Sequence, residues 1–373
     1  MLETIDSAST TAGWEVYACP GTDRPPTREE DSLVSPADGR RFPVRRGIPN
    51  FNRHPPAEDT ETAAELERLN DLAGEKGWLE ALRAVYRRSP DLVRYVTDTR
   101  RSRYLDLLPL NGTSRVLEIG PGLGQFTPLL AQRAAWVHAL EVVEQQAHFV
   151  AERCRQSQAA NVTVACGGDD CTLPYRDRTF DAVVLNLVLE WCGSREPGDA
   201  AEALQRRLLG EIRRVLRAGG VVLLATKNRY ALRYLLGGTD EHMHNIRFGS
   251  ALPRALGRLV LALLGKPRAG GRLYSWGRLR RMLHDSGLEV VNSFWAAPEM
   301  RYPARLIETS ARAVRAARRE GGFAQGESRR TAGVMRLLPA GLVKYFTPGL
   351  MFLARRPADL PSPATPHLQG ILP

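Results

Sequence analysis

Val116-Leu-Glu-Ile-Gly-Pro-Gly-Leu-Gly-Gln-Phe-Thr127 is an apolar strand carrying Glu118, followed by glycine at every second position, Gly120, Gly122 and Gly124, and by a helical pattern from Thr127. Glycine is needed where a chain turns sharply and a ligand lies against the main chain with no Cβ in the way. Dinucleotide-binding sheets use a GxGxxG turn that sets a pyrophosphate on a helix N-terminus. Here the spacing is GxGxG, with an acid two residues before the first glycine. A buried carboxylate at such a turn repels a diphosphate and suits a cationic ligand.

Working outward, Trp136–Leu140 reads as a second strand ending at Glu141, about twenty residues beyond the glycines. A carboxylate there can accept two hydrogen bonds from a ribose diol. A third strand, Asn161–Ala165, precedes Gly167-Gly-Asp-Asp170. Ala182–Leu189 is a continuous apolar run, as in a central parallel strand covered on both faces, with Asn186 and Leu187 near its carboxyl end. Glu211–Gly220 has helical spacing and stops at a glycine pair, and Val221–Thr226 is the next strand. Asp181 reads as a structural acid that satisfies backbone groups of the turn before it.

In this order, over about 110 residues, the motifs resemble the class I S-adenosylmethionine-dependent methyltransferases, whose first motif is acid-x-GxGxG. The resemblance implies an α/β fold with a doubly wound, mostly parallel seven-stranded, Rossmann-like sheet, and S-adenosylmethionine as cofactor. It places the cofactor on Glu118, Gly120, Pro121, Gly122, Gly124, Glu141, Val142, Asp169, Asp170, Asn186 and Leu187. Asp169 matches the acid that meets the adenine amino group better than Asp170 does.

The chain is divided on this reading into six parts. Residues 1–55 form a small β module, with Trp14–Ala18 and Arg41–Val44 alternating as strands. It resembles a degenerate zinc ribbon with ligand positions at Cys19-Pro-Gly-Thr22 and Ser35-Pro-Ala-Asp38; three of the four thiolates are missing, so no metal is expected. Residues 56–110 are a helical linker or cover for the cofactor cleft, with Ser89-Pro-Asp91 as a helix start. The cofactor core is 111–228, an acceptor-side helical insertion or lid is 229–285, and 286–356 ends the sheet. That last part holds strands at Leu288–Trp295 and Leu350–Ala354 and a helix at Ala311–Arg319. The tail, 357–373, is proline-rich and reads as flexible.

With 373 residues and 43% apolar content the chain can bury a sizeable core. No apolar run reaches the ~20 residues of a membrane span, and Glu3 and Asp6 do not suit a secretion signal, so a cytoplasmic location is expected. Five scattered cysteines do not form a disulfide framework. The net charge of +11 rests almost wholly on arginine, since only four residues are lysine. Arg247–His284 holds nine basic residues and no acid, where an acceptor-binding insertion would sit. Its apolar, basic stretch Ala251–Leu264 suits a lid, or a peripheral membrane contact.

For chemistry, His242 or His244 is a candidate general base, with Asp240 or Glu241 to orient it. The expected activity is O-methylation of a polar, possibly anionic, small molecule or saccharide in a biosynthetic pathway. Alternatives are N-methylation of an amine, an RNA methyltransferase and a non-catalytic S-adenosylmethionine-binding scaffold. Nucleic acid is disfavoured because Asn186-Leu-Val-Leu-Glu-Trp191 is not an Asn-Pro-Pro-Tyr motif for a flipped base. Nothing in the sequence sets an oligomeric state.

Overall fold

The computed structural model describes residues 13–54, 60–194, 198–267, 271–321 and 329–358. Glu3 and Asp6, and the tail beyond 358, lie outside the described residues.

The N-terminal strands β1 (Thr27–Glu29), β2 (Ser32–Val34), β3 (Arg41–Arg45) and β4 (Ile48–Pro49) form an antiparallel meander. Trp14–Val16, expected as a strand, is instead a turn of 3-10 helix. Gly13 enters it with a left-handed φ of 86°, and Tyr17 N donates to Trp14 O, which curls the segment.

Eight strands build the main sheet: β5 (Arg115–Ile119), β6 (Trp136–Glu141), β7 (Val162–Cys166), β8 (Phe180–Asn186), β9 (Leu216–Lys227), β10 (Glu289–Ala297), β11 (Arg305–Glu308) and β12 (Gly349–Arg355). Their order is β11-β10-β12-β9-β8-β5-β6-β7. From β9 to β7 all neighbours are parallel, while β12 runs antiparallel between β9 and β10. The sheet thus has one strand more than the seven expected. The extra one, β11, folds back on β10 as an antiparallel pair and puts Ile307 into the core. Order reverses between β5 and β8, and their carboxyl ends bound the crevice where open α/β sheets bind ligands.

Helices α1 (Thr60–Lys76), α2 (Trp78–Val85) and α3 (Pro90–Thr97) precede β5, with Pro90 in the first turn of α3. Helices α4 (Thr127–Ala131), α5 (Glu144–Gln156) and α6 (Gly198–Val215) connect the parallel strands. Helix α6 stops at Val215, and β9 begins at once, so Gly219 and Gly220 belong to an irregular strand entry and not to a helix cap. Helices α7 (Leu232–Leu235), α8 (Arg254–Leu263) and α9 (Trp276–Asp285) follow β9, and α10 (Ala311–Arg319) and α11 (Arg329–Leu337) lie between β11 and β12. No helix among the described residues is long and apolar enough to cross a membrane. Asp181 does act structurally, but across strands: it accepts from Arg115 N at 2.7 Å and pairs with Arg217.

The meander shares its core with the main sheet. Tyr17 and Phe51 are 2% exposed or less and pack with Tyr175, Leu117 and Ile119 in one cluster. Past β4, Asn50 pairs with Cys166 at the open edge of β7, and Phe51 N donates to Cys166 O at 2.7 Å. That bond satisfies a backbone carbonyl at the carboxyl end of this edge strand. Urea unfolding is therefore expected to show one transition, and Phe51→Ala is expected to destabilise it by about 3–5 kcal/mol. Two separated transitions followed by fluorescence would contradict the shared core.

Candidate functional site

A cavity of about 880 Å³ lies at the carboxyl ends of β5, β6 and β8, under the residues Leu66, Tyr86, Leu92, Tyr95 and Val96 of α1–α3 and their connections. The glycine turn forms its floor. Gly120, Gly122 and Gly124 all have left-handed φ, at 67°, 58° and 72°. At Gly120 a Cβ would come within 2.4 Å of Val188 Cγ2, so only glycine fits. At Gly122 a Cβ would meet nothing within 4 Å, which leaves its backbone bare toward the cavity. Pro121 closes the turn by accepting from Gly124 N at 3.0 Å.

Four acids meet this floor. Glu141 accepts from Gly122 N at 2.9 Å through one oxygen and from Val142 N and Val143 N through the other, so it ties the turn to the end of β6. Glu118 is buried and accepts from Thr127 Oγ1 at 2.7 Å. Burial pushes its carboxyl up to about 7. Asp169 accepts from Arg53 N and His54 N at 2.6–3.2 Å, and Asp170 pairs with Arg53 and accepts from Thr172 N. Both acids line the cavity, and they also anchor the chain leaving the meander. Asn186, the last residue of β8, lines the cavity too, with its Oδ1 buried and without a hydrogen-bond partner. Leu187 lines it with a left-handed φ of 58° and donates its N to Ala225 O. All eleven expected cofactor residues except Gly124 line this one cavity. Gly124 packs instead against Val150 and Arg153 of α5.

The candidate base lies elsewhere. His242 is buried, its Nδ1 is 2.9 Å from Asp240 Oδ1, and its ring stacks on Trp191 at 4.4 Å between centroids. Trp191 lines the cavity and His242 sits behind it. Burial raises the Asp240 carboxyl, but hydrogen bonds from His242 and Ser250 outweigh it and hold the group down at about 2. The Asp240 carboxylate accepts a hydrogen bond from His242 Nδ1–H, and His242 Nε2 is buried without a hydrogen-bond partner among the described residues. The acid beside His242 is thus Asp240, while Glu241 faces Lys227 and Arg301. His244, with a left-handed φ of 50°, does not line the cavity.

Sequence reasoning missed Trp191, Tyr86, Tyr95 and Gln125 in the cavity wall. The aromatic residues of 86–95 carried a weak signal, but only the docking of α1–α3 brings them over the turn. Thr127 was legible as a helix start and not as the donor to Glu118.

A family profile described as a methyltransferase domain matches residues 117–224, the span of the glycine turn and the strand-end acids. The core of this chain is a class I S-adenosylmethionine-dependent methyltransferase domain. The biotin biosynthesis bifunctional protein BioHC of Cellvibrio japonicus is 31% identical over 190 residues, covering 49% of this chain and 35% of that protein. The malonyl-(acyl-carrier protein) O-methyltransferase of Erwinia pyrifoliae is 31% identical over 156 residues, covering 40% and 53%. That of Enterobacter lignolyticus is 29% identical over 231 residues, covering 56% and 84%. The chain spans about half the length of the first curated relatives it matches. Among solved structures, geranyl diphosphate C-methyltransferase of Streptomyces coelicolor is similar over 75% of this chain and 80% of that one, at 12% identity and a TM-score of 0.43.

The methyltransferase domain's residues fit its cofactor, S-adenosylmethionine. A bare backbone at Gly122, an orphaned amide oxygen at Asn186 and a buried carboxylate at Glu118 suit a ligand that is cationic and rich in hydrogen-bond donors. Because Glu118 holds its proton up to about 7 against an ordinary 4.5, its contribution to stability is full below 4.5 and lost as pH rises through about 7. A cationic ligand favours the ionised form, so affinity for S-adenosylmethionine is expected to rise about tenfold from pH 6 to pH 8. Calorimetric titration checks this, and Glu118→Gln should flatten the dependence.

Proposed function

We propose that the protein methylates a hydroxyl oxygen of a polar small molecule or saccharide in a biosynthetic pathway. The observation that carries this reading is the covered cavity that gathers Glu118, Glu141, Asp169 and Asn186 around a bare glycine turn. The names of several relatives, O-methyltransferases, agree with oxygen as the methylated atom.

S-adenosylmethionine, when bound, supplies an electrophilic methyl carbon on a sulfonium. Glu141 would hold the ribose hydroxyls and Asp169 the adenine amino group, each using lone pairs beyond those given to backbone N–H groups. Glu118 and Asn186 would orient the charged end. Methyl transfer is an in-line displacement, so placing the acceptor and excluding water do most of the work. The cover residues Tyr86, Leu92 and Tyr95 exclude water, and Trp191 forms the acceptor-side wall. Since the His242 ring packs against Trp191, which lines the cavity while His242 does not, we assign the Asp240–His242 pair to holding Trp191 in place. His244 and Glu241 have no part in this scheme.

Release of S-adenosylhomocysteine in a panel of hydroxyl- and amine-bearing acceptors tests the reaction. Turnover with alcohols and not amines is the expected result, and turnover confined to amines would sink it. With an alcohol in hand, His242→Gln is expected to raise KM several-fold while the pH profile of kcat keeps its shape. Loss of the basic-side dependence on pH in that variant would make His242 the general base instead.

A further inference from the structure

A second cleft, of about 610 Å³, opens on the far side of α6 from the cofactor cavity. Leu204 and Leu208 face the cofactor cavity, whereas Glu202 and Arg206 line the second cleft. Two residues out of step on an α-helix is about 200° around its axis. Among the described residues, the walls carry Arg206, Arg229, Arg254, Arg272 and Arg278 against one lining carboxylate, Glu202.

That carboxylate is oversubscribed. Arg272 donates to Glu202 at 2.5 Å, Arg278 also donates to it, and Arg206 and Arg254 lie 3.3 and 3.8 Å away. Arg206 has a second acid, Asp285, at 3.2 Å. Arg229 points its guanidinium at the carbonyls of Ser250 and Leu252, which adds no negative charge. Among the described residues, five guanidinium groups face the two carboxylates of Glu202 and Asp285, so positive charge predominates here. The field is felt at Arg254: burial first, then Arg272 and Arg229, push its guanidinium below its ordinary range. Helix α9 starts at this wall, where Ser275 caps it, and adds the positive end of its dipole.

We propose that this cleft binds a phosphoryl group, carried as a phosphate ester or a diphosphate on a small ligand. Arginine forks match phosphate oxygens two at a time, and a phosphoryl anion offsets the positive charge that predominates among these side chains. The cleft is a pocket one helix away from the cofactor and not a basic stripe along which a polymer would lie. This binding does not depend on the proposed function.

Titration calorimetry of the full chain with inorganic pyrophosphate, and separately with glycerol 3-phosphate, at fixed ionic strength tests the site. Saturable one-site binding is expected, weakened about tenfold by Arg254→Gln and by Arg278→Gln. Thermal melting shows that each variant is folded, and either variant alone suffices. Binding of both probes assigns a phosphate ester, and binding of pyrophosphate alone assigns a diphosphate. No saturable binding of either probe, or binding indifferent to both substitutions, overturns the proposal. So would binding of single-stranded RNA through these arginines that pyrophosphate does not displace. S-adenosylhomocysteine titrated into the same samples reports the cofactor cavity independently. Its binding without pyrophosphate binding refutes the cleft alone, and the reverse result refutes the methyltransferase reading alone.

Discussion

The hydrogen bond from Gly122 N to the Glu141 carboxylate is the constraint around which this fold is arranged. It joins the turn after β5 to the end of β6, so that two neighbouring strands present their carboxyl ends as one surface. The turn can reach Glu141 because three glycines take left-handed φ, and at Gly120 the approach of Val188 leaves no room for a side chain. Glu118, buried two residues before the first glycine of the turn, gives that surface a carboxylate in a low-dielectric setting, where a cation gains most.

The other parts of the chain close around this surface. The chain leaving the meander bridges to Cys166 at the end of β7 and runs on to Arg53 and His54, whose backbone N–H groups end on Asp169. Helices α1–α3 roof the turn with apolar and aromatic side chains. An acid that lines the cavity therefore also fixes the chain that borders it, which couples the placement of the N-terminal segment to the cofactor side. Arg153 of α5 reinforces the arrangement by donating to Leu123 O within the turn while its guanidinium lies over the Trp78 ring of α2.

Helix α6 contributes to both cavities. One of its faces supplies Leu204 and Leu208 to the cofactor cavity, and the opposite one supplies Glu202 and Arg206 to the arginine cleft. The Glu190–Trp191 segment touches both: Trp191 lines the cavity, and Glu190 O accepts from Arg272 N at 2.8 Å. Behind Trp191 lies a buried polar group of Asp240, His242, Tyr234 and Ser250, hydrogen-bonded about the Asp240 carboxylate. Such a network is stiff when satisfied, because every member lost leaves another unpaired in a dry interior.

The parallel half of the sheet and the residues gathered at its strand ends were legible in the sequence because each depends on local patterns: an apolar run, a glycine spacing, an acid at a strand end. Glu118, Glu141, Asp169 and Asn186 could be placed from the strands that carry them. The count of strands was not, since β11 is four residues long and exists only by pairing back on β10. Trp14–Val16 alternates like a strand yet curls, because Gly13 and the docking of Tyr17 onto Tyr175 outweigh a short alternation. Which acid serves His242, and on which side of Trp191 the imidazole lies, followed from packing between segments that no spacing records. The same holds for the arginine cleft: the sequence shows a basic stretch from Arg247 to His284, but Arg206 of α6 and Arg229 join it only in three dimensions. Strand ends are set by neighbours along the chain, whereas a cavity wall is set by which distant surfaces must bury one another.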